Sequence, residues 1–127
     1  MMRLAIQYVA DRGNADKERL VLRVRAHTDV GDYILIQSDF QGNGVTIATH
    51  HTYWFPYKEV TSGDLVVLYT KSGRINEKVL PDGKRVHFFF WGLDEPIWSG
   101  EDRAPVLLHA PEWISKNPIE LSERPSL

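Results

Sequence analysis

Imidazoles and carboxylates are the side chains here that hold metal ions or move protons near neutral pH, and the chain offers five histidines: His27, His50, His51, His87 and His109. His50-His51 is the most suggestive pair. Adjacent strand residues point to opposite faces, however, so two ligands of one ion would need a bulge there. No Asp, Glu or third His stands at short spacing to complete a shell, and no metal site is expected. A second group, Asp94, Glu95, Glu101 and Asp102, flanks Trp98 in a segment containing Gly and Pro. Paired carboxylates beside an indole are the parts of a sugar-binding or glycoside-hydrolysing site, but such chemistry depends on a carboxyl separation that spacing alone does not set. A solvated acidic loop between two strands is the plainer expectation. The GxSxG, GxxxxGK[ST], HExxH and HxE…PCxxC patterns are missing. Without cysteine there is no disulfide, no thiolate nucleophile and no zinc site built on sulfur. No cofactor and no catalytic residue is assigned.

The elements that position these groups read as strands. Apolar residues recur with a period of two, in short β-branched or aromatic runs bounded by Gly, Asp, Asn and Pro. In residues 19–27, Leu20, Leu22, Val24 and Ala26 share one face, while Arg19, Val21, Arg23, Arg25 and His27 share the other, so one face is expected in the core and the other in water. Residues 4–9, 33–37, 45–50, 65–70, 76–80, 86–91 and 106–109 complete a set of about eight strands. Gln41-Gly42-Asn43-Gly44 is a turn, since no helix follows to make it a phosphate cradle. Pro81-Asp82-Gly83 is the strongest hairpin signal, joining two strands within residues 76–91. Helical signals are confined to residues 15–19 and one turn over 111–116 opened by Pro111. The expected fold is all-β, an immunoglobulin-like β-sandwich over residues 1–116, followed by a C-terminal tail, 117–127, with Ile119 and Leu121 as anchors.

Aromatic residues concentrate in Tyr53-Trp54-Phe55-Pro56-Tyr57 and in Phe88-Phe89-Phe90-Trp91, with Trp98 downstream. Most should supply core, yet their density on both strand faces exceeds what one core absorbs. Tyr57, Phe89, Trp91 and Trp98 are therefore the candidate binding residues, on an aromatic sheet face open to a partner. The alternative site is a carbohydrate-binding or small hydrolytic one in which Trp98 stacks on a sugar beside Glu95 and Asp102.

The order of motifs resembles the lamin tail domain. Ile6-Gln7-Tyr8-Val9 followed by Asp16-Lys17-Glu18-Arg19-Leu20-Val21-Leu22 is similar to that family's opening strands, and Thr28-Asp29-Val30-Gly31-Asp32-Tyr33-Ile34-Leu35 resembles its turn and third strand. Thr52-Tyr53-Trp54-Phe55-Pro56 and Val60-Thr61-Ser62-Gly63-Asp64-Leu65-Val66-Val67-Leu68 resemble a segment in which a glycine turn feeds a buried central strand. Trp91, Trp98 and Asp102-Arg103-Ala104-Pro105-Val106-Leu107-Leu108 stand for the family's late tryptophans and closing strand. Tyr33 replaces its usual tryptophan, the Pro81-Asp82-Gly83 hairpin is longer than the usual insertion, and Pro105 falls where an unbroken strand is expected. The resemblance implies an immunoglobulin-like sandwich used for binding or scaffolding, without catalytic residues.

Fifteen Lys and Arg against 17 Asp and Glu, for a net charge of -2 over 127 residues, give no electrostatic reason for tight nucleic-acid binding, although Arg19, Arg23 and Arg25 form a small basic ridge. No apolar run approaches the ~20 residues of a membrane-spanning helix, and the N-terminal stretch is too short and interrupted for a secretory signal. The expectation is a soluble, cytoplasmic module whose partner is another protein or a second copy of itself.

Overall fold

β-branched and aromatic runs become ten strands in the computed structural model, which describes residues 1–121: β1 (Leu4–Ala10), β2 (Arg19–Val24), β3 (Thr28–Asp29), β4 (Tyr33–Gln41), β5 (Gly44–Trp54), β6 (Glu59–Val60), β7 (Leu65–Tyr69), β8 (Asn76–Val79), β9 (Arg85–Phe90) and β10 (Arg103–His109). They form a five-stranded sheet in the order β1-β2-β7-β9-β8, a three-stranded sheet β10-β4-β5 and a two-residue pairing of β3 with β6. All pairings are antiparallel except β7 with β9. The fold is all-β, and the eight expected strands are all present, with β3 and β6 as short additions.

The two larger sheets meet over one core. Leu20, Leu22 and Val24 of β2, Val66 and Leu68 of β7 and Phe89 of β9 face Tyr33 and Leu35 of β4 and Phe55. β7 lies at the centre of its sheet, and the turn that feeds it needs Gly63, whose φ of +92° is a region L side chains rarely adopt. At the expected hairpin, Gly83 takes φ +86° between β8 and β9.

Three local expectations change. β2 stops at Val24 instead of continuing to His27, because Val24 N–H donates to Asp64 O and Gly63 N–H to Val24 O, tying that end to the β7 turn. Its outward face is not simply wet either: Val21, Val67 and Val86 are buried there, with Leu65, Tyr69, Leu80 and Phe88 packed around them. Residues 111–116 form no helical turn. The only helical turn beyond β10 among the described residues is a 3-10 turn, Pro118–Glu120, where Asn117 Oδ1 accepts the Ile119 N–H. Of the expected tail, residues 122–127 lie outside the described residues.

Pro105 sits in a regular strand without breaking it. β10 is a sheet edge, and proline's missing N–H is tolerated on the open side of an edge strand.

Candidate functional site

Glu18, just before β2, is fully buried, with no cation paired to it among the described residues. Its Oε1 accepts the Gly13 N–H (3.0 Å) and the Trp98 N–H (3.1 Å); its Oε2 accepts the Thr70 hydroxyl (2.6 Å) and the Ile97 N–H (2.9 Å). One carboxylate thus ties the β1–β2 loop, the end of β7 and the loop between β9 and β10 together. Backbone amides and a hydroxyl supply donors that offset the cost of taking the carboxylate out of water.

The loop that Glu18 holds forms one wall of a cavity of about 640 Å³, which also brings together His51, Asp94, Glu95, Asp102 and Arg103. Arg103 is fixed from behind: its Nη1 donates to Gln37 Oε1 (3.2 Å), and its Nε lies 3.1 Å from Asp39 Oδ1, an ion-pair distance off the hydrogen-bond axis. The same Asp39 oxygen lies 2.6 Å from His50 Nε2. The adjacent histidines divide even though the pairing of β5 with β4 slips at His50: His50 goes to Asp39 and His51 to the cavity, where its ring meets Trp91 edge-on at 6.3 Å. Among the described residues no three His, Asp or Glu side chains are arranged to hold a metal ion.

A smaller cavity, about 260 Å³, is lined by Lys58, Glu77 and Arg85 and by the buried pair Asp64 and His87. Asp64 Oδ2 meets His87 Nε2 at 2.9 Å and accepts the Thr61 N–H at 3.1 Å, while Oδ1 accepts the Arg85 N–H at 3.1 Å. Burial alone would push the Asp64 carboxyl up; the bonds from His87 and the two amides outweigh it and hold it below the ordinary carboxylate range. Glu77 bridges Lys58 (2.7 Å) and Arg85, and those two cations hold its carboxyl down at about 2.

Two of the four aromatic candidates are interior. Phe89 follows the β9 alternation onto the core face, and Trp98, 2% exposed, is drawn inward by its amide bond to Glu18. Neither presents a binding surface. Trp98 also offers no sugar platform, although Glu95 and Asp102 do share a cavity. Trp91 is half-buried against Tyr53 and Trp98, at 5.9 and 6.3 Å. Tyr57 is 72% exposed, and its hydroxyl is held protonated beyond the ordinary phenol range by a hydrogen bond to Glu59, by that carboxylate's charge, and by weaker effects of burial and Asp29.

The aromatic surface that the structure does open lies beside Tyr57. Trp54 Nε1 donates to Gly31 O at 2.9 Å, and Trp113 packs edge-on against Trp54 at 5.1 Å. Gly31 carries no Cβ because one would stand 2.9 Å from Tyr57 Cα, so Trp54 and Tyr57 both close on the same turn. Trp54, Tyr57, Trp113 and Ile114 are all exposed. Trp113 is the member missed from sequence, since it stands alone in a Pro- and Glu-containing segment outside any strand.

The chain matches no protein-family model and no curated protein. The lamin-tail resemblance therefore rests on the residues quoted for it. Among the described residues no helix is long and apolar enough to cross a membrane.

Proposed function

We propose that this chain is a non-catalytic interaction module, an immunoglobulin-like sandwich of lamin-tail type acting in the cytoplasm, that binds another protein or a second copy of itself. The observation that carries the reading is the set of exposed aromatic residues Trp54 and Tyr57, which both close on the Gly31 turn, and Trp113, packed edge-on against Trp54, where large amphipathic side chains stand in water at low conformational cost. Supporting it, the two carboxylates buried deeply enough for acid–base work, Glu18 and Asp64, are occupied by bonds that join loops. The lamin-tail part is supported by the Gly63 turn leading into β7, a buried strand at the centre of its sheet, where the resemblance places one.

The test is site-specific photo-crosslinking in extract from the source cells, with benzophenone side chains at Tyr57 and Trp113 and, as controls, at Lys78 and Glu101. The expected result is a discrete adduct, with another protein or with a second copy, at the first two positions only. Adducts at none of the four, or equally at all, would overturn the proposal.

A further inference from the structure

β5 is the outer strand of the three-stranded sheet, and its eleven residues include neither a formally charged side chain nor a proline. Edge strands are ordinarily guarded by such residues. β8 carries Glu77 and Lys78 and β10 carries Arg103 and Pro105, while β1, seven residues that likewise lack charge and proline, is broken at its middle by a register slip between Ile6 and Tyr8. None of the backbone hydrogen bonds made outside strand pairs involves residues 44–54. Apart from the Ala48 N–H, which the Thr46 hydroxyl accepts, the outward peptide groups of β5 are thus unpaired among the described residues.

The guard that β5 does have is local. Its pairing with β4 slips at His50 and again across residues 46–48, where Thr46 Oγ1 accepts the Ala48 N–H at 3.2 Å. These bulges bend the half that carries Val45 and Ile47. From His51 to Trp54 the register with Gln37 to Ile34 is unbroken, and here the edge is straight and open.

We propose that this open half pairs antiparallel with the same strand of a second copy, about a two-fold axis at Thr52, joining two three-stranded sheets into one of six. This deepens the interaction-module reading and rests on it. Three observations select a second copy over a foreign strand. Main-chain pairing at an edge gains its selectivity from side-chain pockets, and of the two described cavities only the larger touches β5, at His51 on the core side. A strand without Asp, Glu, Lys or Arg meets its own copy without like-charge repulsion among such residues. Antiparallel self-pairing also requires one residue to face itself. Thr52 is exposed and β-branched, whereas Tyr53 is turned into the core. That register sets His51 opposite the copy's Tyr53 and brings Trp54 beside the interface.

The absence of cysteine makes the test direct. Sedimentation of the full chain from micromolar to near-millimolar concentration should show a monomer–dimer equilibrium. Thr52→Lys should weaken it at least tenfold without lowering the thermal midpoint, while Gln7→Lys on the β1 edge should not. Thr52→Cys should give a disulfide dimer on mild oxidation, because facing Cα atoms in an antiparallel pair, ~4.5–5.5 Å apart, are within disulfide range; Gln7→Cys should form no disulfide-linked dimer. A chain monomeric throughout, a dimer indifferent to Thr52→Lys, or crosslinking at Gln7 alone would overturn the proposal. If a monomeric chain still crosslinks to another protein at Tyr57, the β5 pairing falls and the interaction module stands.

Discussion

Replacing Glu18 separates a carboxylate that joins three loops from one that merely fills space. Glu18→Ala leaves three amide N–H groups and one hydroxyl without their acceptor. An orphaned buried donor costs roughly 1–3 kcal/mol, and loops relax toward water, so the low end applies. Four such donors give about 4 kcal/mol, a large part of the ~5–15 kcal/mol that stabilises a domain. Glu18→Gln is milder because its carbonyl keeps two of the four donors, best those of Gly13 and Trp98, while its new amide donates to Thr70 Oγ1. The Ile97 N–H then faces another donor, and the cost is about 2 kcal/mol.

At about 4 °C per kcal/mol for a domain of this size, the thermal midpoint should fall ~8 °C for Gln and ~16 °C for Ala. Amide exchange gives the sharper reading. In Glu18→Gln the Ile97 amide should exchange at least tenfold faster, while amides in the middle of β7 change no more than the global loss of stability dictates. Equal costs for the two variants, or a Gln variant within ~0.5 kcal/mol of the parent with Ile97 still protected, would refute the reasoning.

Trp98→Ala and Phe89→Ala should each cost about 3–5 kcal/mol in urea denaturation, as core truncations do, whereas Tyr57→Ala should stay within ~0.5 kcal/mol; a costly Tyr57→Ala would place that ring in the core. The Glu77 carboxyl resonance should titrate at about 2, against an ordinary value of 4.5, and Lys58→Ala should raise it. Asp64, with its folded pKa lowered, contributes stability that is complete above the ordinary carboxylate range and fades as pH falls through the lowered value. Asp64→Asn should flatten that acid limb of the stability profile, and an unchanged limb would assign it to other groups. Gly73→Ala should destabilise more than Gly83→Ala, because a Cβ at Gly73 runs into the Phe90 ring while that at Gly83 meets nothing within 4 Å and carries only the strain of its φ; two thermal melts decide it.

Strand positions were legible because alternation is a local property, and each alternating run from Leu20 to Leu107 became a strand. The ends were not. β4 runs past the expected residue 37 because its last residues pair with the start of β5 in an arm largely exposed on both faces, which loses the apolar rhythm of a half-buried strand. β5 runs past residue 50 because His51 to Trp54 pair in register with Gln37 to Ile34, a polar and aromatic stretch whose pairing no apolar alternation reports. The sites divide the same way. His87 alternates with Phe88 onto the face of Phe89, yet a histidine in a strand reads as a surface or cross-strand residue, and its partner Asp64 lies 23 residues away across the parallel β7–β9 pairing, which no periodicity reports. Glu18 binds amides 79 and 80 residues distant, and a carboxylate satisfied by backbone donors has no sequence signature, since every residue except proline supplies the same N–H. The aromatic residues misled for a related reason. Indoles in the core and indoles on a surface share one composition, and only the bonds around them distinguish Trp98, anchored through its amide to Glu18, from Trp54, whose ring nitrogen reaches over a glycine turn and leaves its face to the solvent.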